Sequence, residues 1–157
     1  MRIAIGGDLA GFEMKAPVSD FLRGLGHEVK DFGTHTPEPV DFPDIAQMVC
    51  DAVRNGHADR GVMVCGTGVG AAIAANKIPG IRASVTHDIH SAHQCVEHDD
   101  VNVACIGAQV IGLRVAQEVL ESFMEARFST DDQFRRRVKK LHELEKKSAA
   151  EIMAAID

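Results

Sequence analysis

The segment Gly61-Val62-Met63-Val64-Cys65-Gly66-Thr67-Gly68-Val69-Gly70, running on into Ala71-Ala72-Ile73-Ala74-Ala75-Asn76-Lys77, leaves few folds open to the chain. Val62 to Cys65 form a short apolar run without polar alternation, the pattern of a strand buried on both faces of a parallel sheet. Three glycines at alternate positions then break the run, and an alanine-rich stretch of high helix propensity follows. Strand, glycine loop and helix in this order build an anion cradle. Glycine lets the backbone approach a ligand closely, and the unpaired N–H groups at a helix start carry positive partial charge. Cys65 falls at the carboxyl end of the strand, where open α/β sheets bind their ligands. A thiol aimed at a helix start is expected to have a lowered pKa, making Cys65 a candidate base or nucleophile. A glycine-rich turn also serves plain packing, and a lone cysteine is more often a small buried hydrophobe. Other residues have to decide.

A length of 157 residues fits one domain that buries about two-thirds of its unfolded surface. A formal net charge of −6 with no Trp and no Tyr argues against a nucleic-acid partner, since neither a basic field nor stacking platforms are available. Cys50, Cys65, Cys95 and Cys105 show no paired spacing and read as free thiols of a reducing compartment. No apolar stretch approaches the ~20 residues that span a bilayer. Met1-Arg2-Ile3-Ala4-Ile5 leads into a strand and not into a signal peptide, so a cytoplasmic protein is expected.

Strands alternate with helices along the chain. Arg2 to Gly6 reads as the first strand, closed by Gly6-Gly7-Asp8. Leu9 to Leu25 has helical spacing in Phe12, Val18, Leu22 and Leu25, with Pro17 as a kink or a shifted start and Gly26 as the stop. Glu28 to Phe32 is a short strand, and Gly33 to Pro39 is the longest loop signal. Asp41 is placed to cap a helix that has Pro43 in its first turn, Ile45, Met48, Val49 and Ala52 on one face, and Gly56 at its end. After the glycine loop come a strand over Ile81 to Val85 and a helix from about Asp88 to Glu97. A strand over Asn102 to Ile106 follows, then a helix within Gly112 to Phe128 with Val115, Val119, Leu120 and Phe123 inward. Asp131 to Ile156 is a final helix with Phe134, Val138, Leu141 and Leu144 on one side and a basic, solvated face opposite. The alternation predicts an α/β/α sandwich on a mainly parallel sheet of about five strands.

Asp8 should share a sheet edge with Cys65 if their strands are parallel neighbours. A carboxylate there accepts hydrogen bonds from a sugar hydroxyl, or equally serves an Asx turn or a helix cap. His87 and His98 flank the fourth helix, and His98, before a strand in Glu97-His98-Asp99-Asp100, is expected in a loop. The histidines lack a His-x-x-x-His pair with a helical Glu, and there is no Cys-x-x-Cys, no Gly-x-Ser-x-Gly elbow and no Walker lysine. Metal-free acid/base chemistry or simple ligand binding is left.

Four motifs then carry a resemblance: Gly7-Asp8-x-Ala10-Gly11-Phe12-Glu13-x-Lys15, Cys65-Gly66-Thr67-Gly68-Val69-Gly70, Ala74-Ala75-Asn76-Lys77-Ile78-Pro79-Gly80-Ile81-Arg82-Ala83 and Glu97-His98-x-Asp100-x-Asn102-Val103. Together they resemble the ribose-5-phosphate isomerase B family, which includes the galactose-6-phosphate isomerase subunits, over about residues 1–140. The resemblance implies a Rossmann-like fold and a cofactor-free aldose–ketose isomerase. It also implies a homodimer, often paired into a tetramer, with active sites between subunits and the 131–156 helix at the interface. It implies Cys65 as the base, with the backbone of Gly66, Gly68, Val69 and Gly70 holding the enediolate oxygens. Thr67 and His98 match ring-opening positions, His98 coming from the partner subunit, and Asp8 matches a hydroxyl-binding one.

The departures from the family pattern gather in one role. Leu9 stands where a histidine is usual, Gln109 where an arginine is, and Gln133 and Phe134 replace Arg-His in a C-terminal motif of which Arg137 is kept. Asp99 replaces an asparagine and Phe42 a tyrosine. The lost cations are those expected on a substrate phosphate, and each charge-assisted contact is worth roughly 1.5–3 kcal/mol. Arg135 or Arg136 could substitute. The expectation is an isomerase nominally of ribose 5-phosphate and ribulose 5-phosphate. The alternatives are the same chemistry on a tetrose phosphate, another pentose or hexose phosphate or an unphosphorylated sugar, or a non-catalytic sugar-binding subunit.

Overall fold

In the computed structural model, which describes residues 1–156, five strands form one sheet. They are β1 (Arg2–Gly7), β2 (Glu28–Asp31), β3 (Arg60–Cys65), β4 (Ala83–Val85) and β5 (Val103–Gly107). Their order is β2-β1-β3-β5-β4, and every pairing is parallel. Six helices connect and follow them: α1 (Phe12–Gly24), α2 (Phe42–Arg54), α3 (Val69–Ala75), α4 (Ile89–Asp99), α5 (Leu113–Glu125) and α6 (Asp132–Ile156).

The continuous apolar runs are explained by burial on both faces. Ile3, Ile5, Val62 and Val64 face α1, α4 and α5, where Val18, Leu22, Val96, Leu120 and Phe123 complete one core. Ala4, Met63, Cys65 and Cys105 face the other way, onto Ile45, Val49 and Cys50 of α2 and the alanines of α3. Ala71 and Ala75 have no side chain beyond Cβ, which lets the short α3 lie close to the sheet. Phe123 is fully buried; truncating such a side chain to alanine costs about 3–5 kcal/mol.

Several expectations are corrected. The first helical segment is split: a 3-10 turn over Leu9–Gly11 precedes α1, which runs through Pro17. Asp41 occupies the cap position of α2, yet its side chain makes no capping bond. The fourth strand begins at Ala83, and α4 runs to Asp99, so His98 is helical and not in a loop. Met48, Val115, Leu141 and Leu144 are exposed. Met48 and Val115 lie on periodic apolar stripes wider than the surface the sheet covers, and Leu141 and Leu144 lie on α6, which packs on α4 and not on the sheet. Only Val138 of α6 is buried: the helix packs on α4, and farther along His142 and Glu145 meet Arg82 and Gly80 through polar contacts at the surface.

Candidate active site

From β1 the chain turns one way to β2 and the other way to β3, so a crevice opens between the carboxyl ends of β1 and β3. Gly7 and Val64 are in register there, and the residues that follow them are Asp8 and Cys65. Cys65 ends β3 with 5% of its surface exposed. The Gly68 N–H donates to its Sγ at 3.0 Å. Gly68 is left-handed, with φ of 81°, a conformation open to glycine at little cost, and that turn directs its amide back to the sulfur. The Val69 amide donates to Thr67 Oγ1 at 3.3 Å. Among the described residues no protein group accepts from the amides of Gly66, Thr67 or Gly70. Donors without partners at a sheet's carboxyl edge make a site for anionic oxygen.

Neighbouring side chains shape this loop. The Phe42 ring lies over Gly70, where a Cβ would come within 3.0 Å of it. Gln109 Oε1 sits 3.1 Å from the point where Gly66 would carry a Cβ, and Ala10 Cβ lies 3.5 Å from the same point. Asp8 Oδ1 accepts the Gly11 amide at 3.1 Å, so the capping use of this carboxylate is realised. A groove of about 470 Å³ lies beside the loop, with Leu9, Ala10, Pro37, Ala108, Gln109 and Leu113 in its wall. Neither Cys65 nor Gly66 is a wall residue; Gln109 and Ala10 of the wall lie beside Gly66. Buried Lys15 pairs with both oxygens of Asp31 at 2.5 and 2.6 Å, and Asp31 Oδ1 also accepts the Gly33 amide at 2.9 Å. Gly33 in turn accepts from the Gly7 amide at 2.7 Å, so the pair buttresses the strand end that carries Asp8.

The remaining residues singled out in the sequence lie elsewhere. His98 and Asp99 are in the last turn of α4, which returns the chain from the carboxyl edge of the sheet to its amino edge. The His98 ring stacks on Phe134, centroids 3.9 Å apart and planes 11° off parallel. Arg137 lies over the same phenyl at 5.5 Å, and Arg135 lies over Phe128 at 5.1 Å. Gln133 is bonded to Asp131 through backbone and side chain, at 3.2 and 3.1 Å. One chain thus brings together Asp8, Cys65, Thr67 and the glycine loop, and keeps His98, Asp99 and Arg137 as a second group at the opposite edge.

Burial pushes the Cys50 thiol up to about 12, with the Asp51 carboxylate adding, and pushes Cys95 up to about 11. Cys105 is raised by burial above all, and then by the nearby Cys65 and Cys50 sulfurs. Among the described residues no three His, Cys, Asp or Glu side chains converge as a metal site. Gly107 escaped sequence reasoning, although a glycine closing a buried strand was the available signal. A Cβ on it would sit 2.7 Å from Thr67 Cα, and its amide donates to His87 Nε2 at 2.9 Å. No helix among the described residues is long and apolar enough to cross a membrane.

Comparison with known proteins identifies the family and the fold. The family model described as Ribose/Galactose Isomerase matches residues 3–141. The Ribose-5-P isomerase B of Listeria innocua is 42% identical over 129 residues, covering 82% of this chain and 87% of that protein. A D-erythrulose-4-phosphate isomerase of Pectobacterium atrosepticum is 37% identical over 129 residues, covering 82% and 85%. The solved structure of Clostridium thermocellum Ribose-5-Phosphate Isomerase B superposes with a TM-score of 0.91 at 44% identity, covering 94% of this chain and 99% of the other. A parallel sheet with a glycine loop at its carboxyl edge, matched over nearly its whole extent by these proteins, makes the chain a member of the ribose/galactose isomerase family, an aldose–ketose isomerase of sugar phosphates.

Proposed function

We propose that the chain interconverts ribose 5-phosphate and ribulose 5-phosphate, with Cys65 as the base that carries the proton. The observation behind this reading is the Gly68 N–H on Cys65 Sγ at 3.0 Å, beside a loop whose amides lack protein acceptors. The thiolate takes the proton from C2 of the open aldose, and the electron pair moves through the C1–C2 bond onto O1. The cis-enediolate that results holds its charge on oxygen, where the amides of Gly66, Thr67 and Gly70 strengthen their hydrogen bonds as charge grows. Return of the proton to C1, with transfer of the O2 proton to O1, gives the ketose. Thr67 and His98 serve ring opening, Asp8 holds a hydroxyl, and Arg137, Asp99 and His98 come from a second copy of the chain. The two groups of residues at opposite sheet edges support a two-fold homodimer, because one isologous pairing completes two sites at once in a closed assembly.

A second reading is favoured by Leu9 and Gln109, which put a methyl-rich wall and a neutral amide beside the loop. On this reading the same proton transfer acts on a shorter or differently substituted sugar phosphate, such as the erythrulose 4-phosphate of the Pectobacterium relative. A panel of aldoses and ketoses, with and without phosphate, tests both. The highest kcat/KM on ribose 5-phosphate supports the first reading, and a tetrose phosphate preferred by more than about ten-fold supports the second. Saturable binding with no turnover of any sugar would overturn both.

A further inference from the structure

Successive amides of a strand point to opposite sides. The Ala108 amide donates toward β3, to the Cys65 carbonyl at 2.8 Å, so the Gly107 amide points away from β3, to the side of β4. There β4 has already ended: Val85 pairs with Cys105, and the Thr86 amide makes the last rung to the Cys105 carbonyl at 3.0 Å. Beyond that rung no strand carbonyl is in line with Gly107. His87 takes the position instead, accepting the Gly107 amide on Nε2 at 2.9 Å. Accepting requires a lone pair on that nitrogen, so the proton of the neutral ring is on Nδ1.

Gly107 is the floor on which the anion-binding loop rests. It is in register with Cys65, and the Gln109 amide donates to the Gly66 carbonyl at 3.0 Å. A Cβ on Gly107 would lie 2.7 Å from Thr67 Cα and C and 2.9 Å from the Gly66 carbonyl oxygen. Backbone meets backbone here with no side chain to absorb a shift. Any displacement of Gly107 is passed to the Thr67 amide, one of the donors without a protein acceptor.

We propose that His87 is a positioning residue of this isomerase: its Nε2, by holding the Gly107 amide, fixes the Gly66–Thr67 backbone that binds the enediolate. The role rests on the function proposed above, and it assigns to His87 no contact with substrate. Oxyanion donors act only when they stand at hydrogen-bond distance from the charge that develops, so a loosened floor lowers turnover more than substrate binding.

Three variants test it. Gln places Oε1 about where histidine places Nε2 and so can accept the amide; Phe fills the space but cannot accept; Ala does neither. His87→Ala and His87→Phe should each lower kcat roughly ten- to a hundred-fold, with KM changed less than about three-fold, while His87→Gln stays within about three-fold of the parent. Amide hydrogen exchange supplies a second readout that needs no substrate. The Gly107 amide should exchange faster in the Ala and Phe variants and at the parental rate in Gln. Equal behaviour of Phe and Gln, an unaltered Ala variant, or a Gln variant as poor as Ala would each overturn the proposal. Should Ala fail to fold, the Gln–Phe comparison still decides. If the parent turns over no sugar phosphate, the proposed function fails, and the exchange pattern alone supports or sinks the role of His87.

Discussion

His98 and Cys65 stand at opposite edges of one sheet. The helix α4 carries the chain back along the full length of β5, whose five residues span roughly 16 Å, and His98 is in its last turn. The stack of His98 on Phe134 at 3.9 Å holds the ring against α6, away from the glycine loop. No rotamer of either residue closes that gap. An isomerase that uses both must borrow one from a second copy, and the borrowing is reciprocal in a two-fold dimer.

That geometry makes complementation the sharpest test of the shared site. Cys65→Ala and His98→Ala homodimers should each lose about a hundred-fold or more in turnover of a cyclic substrate. Co-expressed together, about half of the dimers carry one chain of each kind, and every such dimer has one intact site and one doubly defective site. The mixture should then recover about a quarter of the parental specific activity. Assay of the purified hetero-tagged dimer, where one site of two is intact and about half of the parental activity is expected, checks this; no recovery above either homodimer means that both residues act within one chain, or that His98 does not act.

Lys15 and Asp31 offer a test that concerns stability first. The lysine side chain is 4% exposed and the aspartate 28%, so removing the cation leaves a half-buried carboxylate without its counter-charge. Lys15→Met should cost about 3 kcal/mol, read as a lowered midpoint in urea. Lys15→Met with Asp31→Asn should recover part of that loss, because the stranded charge is gone. Since Asp31 also accepts the Gly33 amide, which neighbours the end of β1, the single variant should lose activity at temperatures where it is still folded. A double variant no more stable than the single one would show that the pair acts through packing of the lysine stem.

The elements legible in the sequence were those whose cause is local. The β3–loop–α3 unit was readable because the apolar run, the glycine that adopts positive φ at position 68 and the alanines of α3 each act on their own neighbours. The end of α4 was not, because its stop is Asp100 in a left-handed conformation at φ 52°, a role that usually signals itself with glycine. The part played by Gly107 was hidden for another reason: it depends on how closely the end of β5 approaches the loop after β3, and nothing in the neighbouring residues encodes that distance. Asp8 carried two meanings in the sequence. The structure realises the cap, and Oδ1 is committed to Gly11.

The four free thiols differ in a way that alkylation can read. With Cys50 pushed up to about 12 and Cys95 to about 11, principally by burial, about one in ten thousand and one in a thousand of these groups are thiolate at pH 8. Cys105 is raised too and fully buried. Cys65 has the Gly68 amide on its sulfur and is the thiol that lies next to unpartnered loop donors, so iodoacetamide at pH 8 should modify Cys65 first, and a bound sugar phosphate should protect it. Peptide mass spectrometry identifies the site; faster labelling of Cys50 or Cys95 would remove the reason for choosing Cys65 as base. The same shifts predict an alkaline limit. A thiol ordinary at about 9 when unfolded and raised to about 12 when folded contributes stability that is fully present below pH 9 and is lost as pH rises toward 12. Urea midpoints should therefore fall between pH 8.5 and about 10.5. Cys50→Ala should flatten that fall, at the cost of a small cavity in the core over α2; an equally steep fall in this variant would assign the alkaline loss to another group.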